Sequence, residues 1–356
     1  MSLASSSLPP VIEIAGQRVG AGQPPYVVAE VSGNHNGSLD RALAIVRAAA
    51  AAGADAVKLQ TYTADTMTID SDAPDFRIDS GPWAGRMLYD LYQEAATPWE
   101  WHEPLIDAGR EAGVAVFSTP FDETAVDHLE HLDVPAYKVA SFELGDIALI
   151  RRIAATGRPM ILSTGMASDA EIGEALAAAQ GAGAAQVVLL HCVSAYPAPA
   201  EESNLHAIAR LRERFGCPVG LSDHTLGVVV AGAAVALGAC LVEKHVTLRR
   251  ADGGVDSEFS LEPEELAELV RTARTAFAAL GDGGERRPPS EAATRAFRRS
   301  LYIVRDVAAG EVLTQEHVRA IRPGFGLPPG QLEKVLGRVA SRDLARGTPL
   351  RWDCVR

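Results

Sequence analysis

The sequence lacks the segments that would direct a protein into or across a membrane. No run of about 18 or more apolar residues occurs among its 356 residues, so we expect no membrane-spanning helix. The first ten residues, MSLASSSLPP, have neither a basic start nor an apolar core, which argues against a secretory signal peptide. We therefore expect a cytoplasmic protein that begins with a loosely held tail.

Positive charge and paired cysteines are also scarce. Lysine and arginine number 33 against 46 acidic residues, and this net charge of −13 argues against a surface for nucleic acid or anionic membrane. Any anionic substrate must therefore be held by a few local cations. The cysteines show no C-x-x-C spacing, and we interpret them as reduced, mostly buried thiols: Cys192, Cys217, Cys240 and Cys354.

No glycine-rich phosphate loop of the type GxGxxG or GxxxxGK[ST] follows any β-rich run, which argues against the alternative of a doubly wound nucleotide-binding sheet. Instead, after a predicted hairpin in VIEIAGQRVG, eight short β-rich runs alternate with Ala-rich helical stretches. Each run begins apolar and ends polar, as buried parallel strands do when their carboxyl ends line a site. This repeat predicts an α/β fold, the TIM (β/α)8 barrel, with strands at residues 26–32, 56–61, 115–120, 136–141, 159–165, 187–192, 219–224 and 239–246.

Changes in composition divide the chain into four predicted segments. We expect a tail and hairpin over residues 1–25, a barrel catalytic domain over 26–282, a Gly- and Pro-rich linker over 283–296 and a small β-rich domain over 297–356. The connection at residues 62–101 is too long for a simple crossover and is rich in Tyr and Trp. We expect it to cap the barrel rim and shape a substrate pocket. The alternative is that its aromatic residues pack an inserted helix onto the barrel.

The predicted strand ends collect lysines, hydroxyls and carboxylates. Because the carboxyl ends of barrel strands meet on one rim, we expect these side chains to face one another. A buried lysine without an anion is costly, so Lys58 and Lys138 imply a small substrate that carries phosphate and carboxylate groups. The polar rim residues are Glu30, Lys58, Gln60, Thr119, Lys138, Ser141, Glu143, Ser163, Ser194, Tyr196 and Ser222.

Two histidines, His224 and His245, end neighbouring strands. If a right-handed crossover joins these strands, both imidazoles lie on the same rim, which is the arrangement of an open metal site. The alternative is a pair of core histidines bonded to Asp223 and Glu243. Lys244 has the opposite strand parity to Glu243 and His245, so we expect it to face the outer helices.

Taken together, these motifs resemble the sialic acid synthase (NeuB) family. The matching segments run in order from about residue 25 to the C-terminus: AEVSGNHNGS, VKLQTYTADTMT, FSTPFD, PAYKVAS, ILSTGMA, HCVSAYP, GLSDHT, EKHVT, FRRSLY and IRPGFG. The details of TYTADTMTID, GRMLYDLYQEAATPWEWH and ADGGVDSEFS are most similar to its pseudaminic acid synthase branch. The resemblance implies a TIM barrel followed by an antifreeze-like (SAF) β-clip domain, in a domain-swapped homodimer.

The resemblance also implies a reaction. Phosphoenolpyruvate would condense with an N-acylated amino sugar, here 2,4-diacetamido-2,4,6-trideoxy-L-altrose, to give pseudaminic acid and phosphate. The implied cofactor is a divalent metal, Mn²⁺ first, with Mg²⁺ or Co²⁺ as alternatives. Three other functions stay open: an N-acetylneuraminate or legionaminate synthase acting on N-acetylmannosamine or its 2,4-diacetamido analogue, a Schiff-base pyruvate aldolase, and an ice-binding role for the C-terminal domain.

Individual residues can be matched to positions in the family's motifs. His224 and His245 match its metal ligands, and Asp256 matches an acidic position near the metal. The positions that match phosphoenolpyruvate-binding residues are Lys58, Thr119, Lys138, Ser141, Ser163 and Ser222.

Other positions match the sugar side of the family site. We interpret Glu30 and Glu143, together with His245, as catalytic, and Arg322 in IRPGFG as the arginine that contacts the sugar N-acyl group. Ser194 replaces an asparagine common in the N-acetylneuraminate-forming branch, which disfavours N-acetylmannosamine as substrate. The remaining predicted substrate-binding residues are Gln60, Tyr196 and Glu243.

Overall fold

The computed structural model describes residues 8–285 and 288–356. The start of the predicted tail, residues 1–7, and residues 286–287 of the predicted linker lie outside the described residues. Along the chain, one compact unit ends at Gly281 and a second spans Asp282–Arg356. Among the described residues, no helix is both long and apolar enough to cross a lipid bilayer.

The first unit opens with an antiparallel hairpin and continues into a closed barrel of eight parallel strands. The hairpin strands are β1 Val11–Ile14 and β2 Gln17–Gly20. The barrel strands are β3 Tyr26–Glu30, β4 Ala56–Thr61, β5 Ala115–Pro120, β6 Tyr137–Val139, β7 Met160–Ser163, β8 Val187–Cys192, β9 Val219–Asp223 and β10 Leu241–His245. Each strand pairs with its neighbour in sequence, and β10 pairs with β3, which confirms the TIM barrel.

A helix follows each barrel strand, and two further helices lie in the long connection after β4. The first-unit helices are α1 Leu39–Ala51, α2 Ala64–Met67, α3 Leu88–Ala95, α4 His102–Ala112, α5 Glu123–His131, α6 Ile147–Ala154, α7 Asp169–Gly181, α8 Ala207–Phe215, α9 Val229–Ala236 and α10 Pro263–Leu280. Side chains accept hydrogen bonds from the first-turn amides of α1, α5, α6 and α7, which fixes where these helices begin. The capping residues are Ser38, Asp122, Asp146 and Ser168.

The barrel interior changes character along the strands. Near the amino ends, the inward side chains are apolar and pack with the hairpin, as Val28, Phe117 and Ile161 pack with Ile12 and Ile14. Two residues further along β3 and β7, and on the corresponding inward positions of the other strands, the side chains become polar. Since side chains alternate across a strand, the polar inward positions form a layer at the carboxyl end.

The long connection at residues 62–101 is folded rather than extended. Its middle part forms a hairpin-like loop that is closed by an antiparallel bridge between Arg77 and Met87. Trp83 lies in the turn of this loop. Its end is anchored where the His102 imidazole bonds to the Thr61 hydroxyl at 2.7 Å and to the Trp99 carbonyl at 3.2 Å. The connection therefore holds a defined position over the barrel.

The second unit is a small β-rich domain. It contains strands β11 Ser300–Ile303 and β12 Val318–Ile321, which pair antiparallel, and the short helix α11 Leu332–Val335. Its own apolar core includes Leu301, Ile303, Val318, Val335, Leu344 and Leu350.

Candidate active site

The centre of the polar layer is a cluster of two lysines and two glutamates from β3, β4, β6 and β10. Lys58 Nζ lies 2.8 Å from a Glu30 carboxylate oxygen and 3.6 Å from Glu243 Oε1, while Lys138 Nζ lies 3.9 Å from the same Glu243 oxygen. All four residues are at most 5% exposed. The predicted convergence of the strand ends is therefore present in the fold, with both lysines inside the barrel.

Burial and charge act differently on the two lysines. Burial lowers the pKa of Lys58, but Glu243 and Glu30 outweigh that effect, so its pKa is raised. Burial also lowers the pKa of Lys138, and Glu243, acting over a longer distance, does not compensate, so its pKa stays lowered. An anion bound beside Lys138 would favour its charged form.

The pKa values of the two glutamates are shifted in opposite directions. Burial raises the pKa of Glu30, and the Lys58 charge only partly opposes this shift. Burial acts on Glu243 in the same direction, but Lys138 and Lys58 together outweigh it, so the pKa of Glu243 is lowered. Glu243 is thus the carboxylate that balances the lysines, and Glu30 is the one poised to exchange a proton.

Hydroxyl groups surround the lysines. Lys58 Nζ donates to Thr119 Oγ1 at 3.0 Å, and Ser222 Oγ donates to Glu243 Oε1 at 3.4 Å. Ser163 Oγ is buried at the end of β7 and has no hydrogen-bond partner among the described residues, so it can donate to a ligand at the rim. Such groups can hold phosphate and carboxylate oxygens.

The chain turns sharply after β6. This turn explains how Lys138 and Ser141, which are three residues apart, both reach the rim of the barrel. The strand ends at Val139 and a 3₁₀ turn begins at Ser141. Ser141 Oγ accepts from the Gly165 amide at 3.2 Å. A side chain at Gly165 would collide with the Ser141 and Ser194 hydroxyls, so glycine is needed for this close approach.

Glu143 lies in the same turn. Burial raises its pKa to about 6, against the opposing charge of Lys138. Its Oε2 is buried, and no hydrogen-bond partner for it lies within residues 8–285 and 288–356. Glu143 is therefore a second carboxyl group that can exchange a proton near neutral pH.

The two strand-end histidines lie together at the rim. Their ring centroids are 5.4 Å apart, and the His245 Nδ1 atom is 3.8 Å from an Asp256 carboxylate oxygen. Asp223 instead pairs with Lys244 at 2.7 Å on the other face of the strands, so the alternative in which Asp223 satisfies His224 is wrong. Lys244 is thereby turned away from the polar layer, as its parity predicts.

Asp256 is tied into the same rim by residues of the first two barrel strands and their loops. It accepts a short hydrogen bond from Ser32, and Gln60 donates both to Ser32 at 3.0 Å and to Glu30 at 2.7 Å. Burial raises the pKa of Asp256 to about 6, although Ser32 and His224 oppose the shift. Sequence reasoning missed Ser32, whose only signal is that it lies two residues beyond Glu30, on the same strand parity.

The histidine pair fits an open metal site. His224 Nδ1 donates to the Val193 carbonyl at 2.9 Å, so in the neutral form of the ring the other nitrogen offers its lone pair to a metal. His245 Nδ1 is buried and has no hydrogen-bond partner in the part of the chain that the structure describes. Burial together with His224 holds the pKa of His245 well below its usual value. Among residues 8–285 and 288–356, no three His, Cys, Asp or Glu side chains form a ready ligand group. Further ligands would therefore come from water or substrate.

Cys192, which the sequence analysis predicted only as a buried thiol, is a further rim residue. Its Sγ lies 3.9 Å from His224 Nδ1 and 3.8 Å from Ser194 Oγ. Burial raises the pKa of this thiol, but His224 outweighs it and lowers the pKa to about 7. Strand alternation could have identified it, because Cys192 lies two residues after Leu190 and therefore shares the inward face of β8.

Aromatic rings lie beside the histidine pair. Tyr196 lies 4.4 Å from the His224 ring and 5.3 Å from Phe259, whose ring is 5.1 Å from His245. Trp83, from the long connection, packs on Tyr196 at 5.5 Å. We call Trp83, Tyr196 and Phe259 the aromatic wall. Trp83 therefore contacts the rim, as expected, whereas Tyr92 of the inserted helix α3 packs on Tyr62, as the alternative expects.

The barrel unit thus brings together every predicted site residue except one. Arg322 directly follows β12 in the second unit, where it is exposed. The barrel-borne residues are Glu30, Lys58, Gln60, Thr119, Lys138, Ser141, Glu143, Ser163, Ser194, Tyr196, Ser222, His224, Glu243, His245 and Asp256.

Comparison with known proteins places this site in a family. Residues 45–285 match the NeuB family, and residues 298–356 match the SAF domain. A pseudaminic acid synthase of Campylobacter jejuni is 41% identical, with 92% of this chain and 95% of the relative covered. An N,N'-diacetyllegionaminic acid synthase of Legionella pneumophila is 35% identical, with 92% and 94% covered.

A solved structure agrees with these relatives. The N-acetylneuraminic acid (sialic acid) synthetase of Leptospira borgpetersenii superposes with a TM-score of 0.72 at 31% identity, over 81% of this chain and 96% of that one. The family match covers most of the barrel, and the relatives span nearly the whole chain. The protein therefore belongs to the NeuB family of sialic acid synthases and is an enzyme of that family, with a SAF domain after its barrel.

Proposed function

We propose that this enzyme is a pseudaminic acid synthase, which condenses phosphoenolpyruvate with 2,4-diacetamido-2,4,6-trideoxy-L-altrose to give pseudaminic acid and phosphate. The observation that carries the proposal is the pair of buried lysines facing a histidine pair and an aromatic wall. The choice of sugar is supported by the 41% identity to a pseudaminic acid synthase, against 35% for a legionaminic acid synthase.

The charged side of the site suits phosphoenolpyruvate. Lys58 and Lys138 supply positive charge, and the Thr119, Ser163 and neighbouring hydroxyls supply hydrogen-bond donors for phosphate and carboxylate oxygens. Held in this way, phosphoenolpyruvate has a fixed orientation, so that its C3 atom can face the second substrate.

The proposed reaction forms one carbon–carbon bond. The C3 atom of phosphoenolpyruvate attacks the sugar aldehyde carbon, the aldehyde oxygen takes a proton, and C2 gains oxocarbenium character. Water then adds to C2 and loses one proton. The C–O bond to phosphate breaks as C2 becomes a ketone, and the remaining hydroxyl proton leaves with the phosphate, which keeps its bridging oxygen. We assign Glu30 as the base that takes the proton from water, because burial raises the pKa of its carboxyl group and so makes the carboxylate a stronger base.

The histidine pair would hold a divalent ion, with Mn²⁺ as the first choice and Mg²⁺ or Co²⁺ as alternatives. When bound, such an ion supplies Lewis acidity toward the sugar aldehyde. His224 and His245 offer ring nitrogens to it, and the hydrogen bond from His224 to Val193 fixes the orientation of one ring. A cytoplasmic location and a domain-swapped homodimer stay predictions, and analytical ultracentrifugation tests the second.

A second candidate function has one observation in its favour. The lowered pKa of Lys138 is what an imine-forming lysine requires, so a Schiff-base pyruvate aldolase is the competing function. Borohydride treatment in the presence of pyruvate separates the two, because the synthase forms no imine. A stable mass increase on Lys138 would favour the aldolase.

The test of the proposed function is phosphate release from phosphoenolpyruvate with Mn²⁺ and three sugars in parallel. These are 2,4-diacetamido-2,4,6-trideoxy-L-altrose, the 2,4-diacetamido sugar of the legionaminic route, and N-acetylmannosamine. We expect turnover to be fastest with the first. Preference for either other sugar moves the enzyme to another branch of its family, and no release with any sugar contradicts the synthase activity.

A further inference from the structure

Trp83 joins three separate loops above the active site. Its Nε1 donates to the Val255 carbonyl at 2.7 Å, across 172 residues of sequence. The Val255 side chain in turn packs so closely on Gly33 that a side chain at Gly33 would collide with it. The loops after β3, β4 and β10 are therefore held together at this point, and the indole ring has a fixed position against Tyr196 and Phe259.

The site has two chemically distinct sides, which limits where each reactant can lie. The lysines and hydroxyls near Glu243 suit a phosphate and a carboxylate. The aromatic wall packs against the histidine pair, and the indole N–H of Trp83 is already used by the Val255 carbonyl. The Tyr196 hydroxyl is the one polar group that the wall's side chains offer a ligand.

Such a wall favours apolar groups on the second reactant. A methyl group against aromatic rings loses water-exposed surface and gains dispersion contacts, whereas a hydroxymethyl group there loses hydrogen bonds to water. A sugar that is deoxygenated at one end and N-acylated carries several methyl groups. A fully hydroxylated sugar end matches the wall less well.

We propose that Trp83 is a specificity-determining residue, whose ring holds the methyl-bearing end of a deoxygenated, N-acylated amino sugar. The inference rests on the proposed function, because it assigns one end of the proposed sugar to the aromatic wall. Discrimination of one apolar group in such a pocket is worth about 10- to 200-fold in kcat/KM. Trp83 therefore sets which sugar is used, while the lysines act equally on phosphoenolpyruvate with any sugar.

The experiment compares two variants of Trp83 with a matched variant in the same connection. Trp83→Ala removes the ring, Trp83→Phe keeps an apolar ring but loses the bond to Val255, and Trp99→Phe changes an indole that stacks on His128 away from the wall. For each, kcat/KM is measured with the trideoxy diacetamido sugar and with N-acetylmannosamine. We expect the ratio of the two values to fall about tenfold or more in Trp83→Ala and to be kept by Trp99→Phe.

A binding measurement supplies a readout independent of turnover. The sugar alcohol of the trideoxy substrate lacks the aldehyde and does not condense, so it can be titrated into the Mn²⁺-loaded enzyme with phosphoenolpyruvate present. We expect the resulting change in tryptophan fluorescence to disappear in Trp83→Phe and to persist in Trp99→Phe. Persistence in Trp83→Phe would show that the sugar does not reach Trp83 and would overturn the inference.

The remaining outcomes separate the inference from the proposed function. An equal loss with both sugars in Trp83→Ala would make Trp83 a merely structural residue. A wild-type preference for N-acetylmannosamine would refute both the proposed sugar and the methyl selectivity, even if the fluorescence change still mapped to Trp83. Wild-type selectivity for the trideoxy sugar with an unchanged ratio in Trp83→Ala would keep the proposed function and reject only the inference.

Discussion

The charged side and the aromatic side of the site are built in different ways. Lys58, Lys138, Glu30 and Glu243 lie on barrel strands, and their positions follow from strand pairing. The aromatic wall comes from loops, with Trp83 in the connection after β4 and its other members in the loops after β8 and β10. Strands are rigid and loops vary, so this difference assigns the shared chemistry to the strands and the choice of second substrate to the loops.

Among the variants of the charged side, Glu30→Gln should cause the largest loss of activity. Glutamine can still accept hydrogen bonds from Lys58 and Gln60, but it cannot take a proton from water. We expect kcat to fall about 10²- to 10⁴-fold, with a smaller change in the KM for phosphoenolpyruvate. Steady-state phosphate release checks this, with Glu143→Gln as the comparison. Preserved turnover in Glu30→Gln would contradict the base role, and a loss confined to Glu143→Gln would move it there.

Lys138→Met should show that the charged side holds phosphoenolpyruvate. Loss of one cation beside phosphate and carboxylate groups is expected to lower kcat/KM for phosphoenolpyruvate about 100-fold, since charge-assisted hydrogen bonds are roughly twice as strong as neutral ones. Lys244→Met is the matched control, because Lys244 is equally buried but pairs with Asp223 on the outer face. It should lower the melting temperature instead. Equal losses of kcat/KM in both variants would argue against a binding role.

His245→Ala should remove a proposed metal ligand that lies between the charged side and the aromatic side of the site. We expect Mn²⁺ to raise the melting temperature of the wild-type enzyme, and saturation at 100 times the dissociation constant corresponds to about 2.7 kcal/mol. This increase should be absent in His245→Ala and present in His35→Asn, since His35 is bonded to the Ala95 carbonyl instead. Chelation should also stop phosphate release. A full Mn²⁺ shift in His245→Ala would exclude His245 as a ligand.

His102 should make the stability of the folded protein depend on pH. It anchors the connection that carries Trp83, and burial together with His128 lowers its pKa to about 4, from 6.5 in the unfolded chain. A lowered histidine pKa means that the unfolded state binds more protons, so stability is lost as pH falls below 6.5. At pH 5.5 the loss is about 1.4 kcal/mol.

The measurement is denaturant unfolding between pH 7.5 and about 5. His102→Gln should be less stable at neutral pH but should show a weaker decline toward acid than the wild type. The exposed His206→Gln variant should keep the full decline. An unchanged slope in His102→Gln would show that another group titrates.

Much of the barrel could be predicted from residue patterns. The eight expected strands are all present, and the errors are at their ends, where the strands expected over 136–141 and 159–165 stop at Val139 and Ser163. Both stop early because the next residues turn to bring Ser141 and Gly165 together. A pattern of apolar residues does not contain that contact.

The sequence could likewise predict part of the candidate site, namely the residues on strands but not the contacts between loops. Strand parity separated Lys244 from Glu243 and His245, because alternation is a property of the extended backbone itself. The bonds from Ser32 to Asp256 and from Trp83 to Val255 were not predictable, since each joins loops of different strand–helix units. Nothing in either loop specifies its distant partner.

The sequence by itself determined the order of strands and helices, the inward polar layer and the family. These are local properties, encoded by alternation, caps and short motifs, and they need no knowledge of what lies across the barrel. Only the tertiary structure decided that Lys58 is paired more tightly than Lys138, that Asp223 pairs with Lys244, and that Trp83 packs on Tyr196 and Phe259. Those outcomes depend on barrel closure, which brings β10 beside β3 and sets the distances between groups that are far apart along the chain.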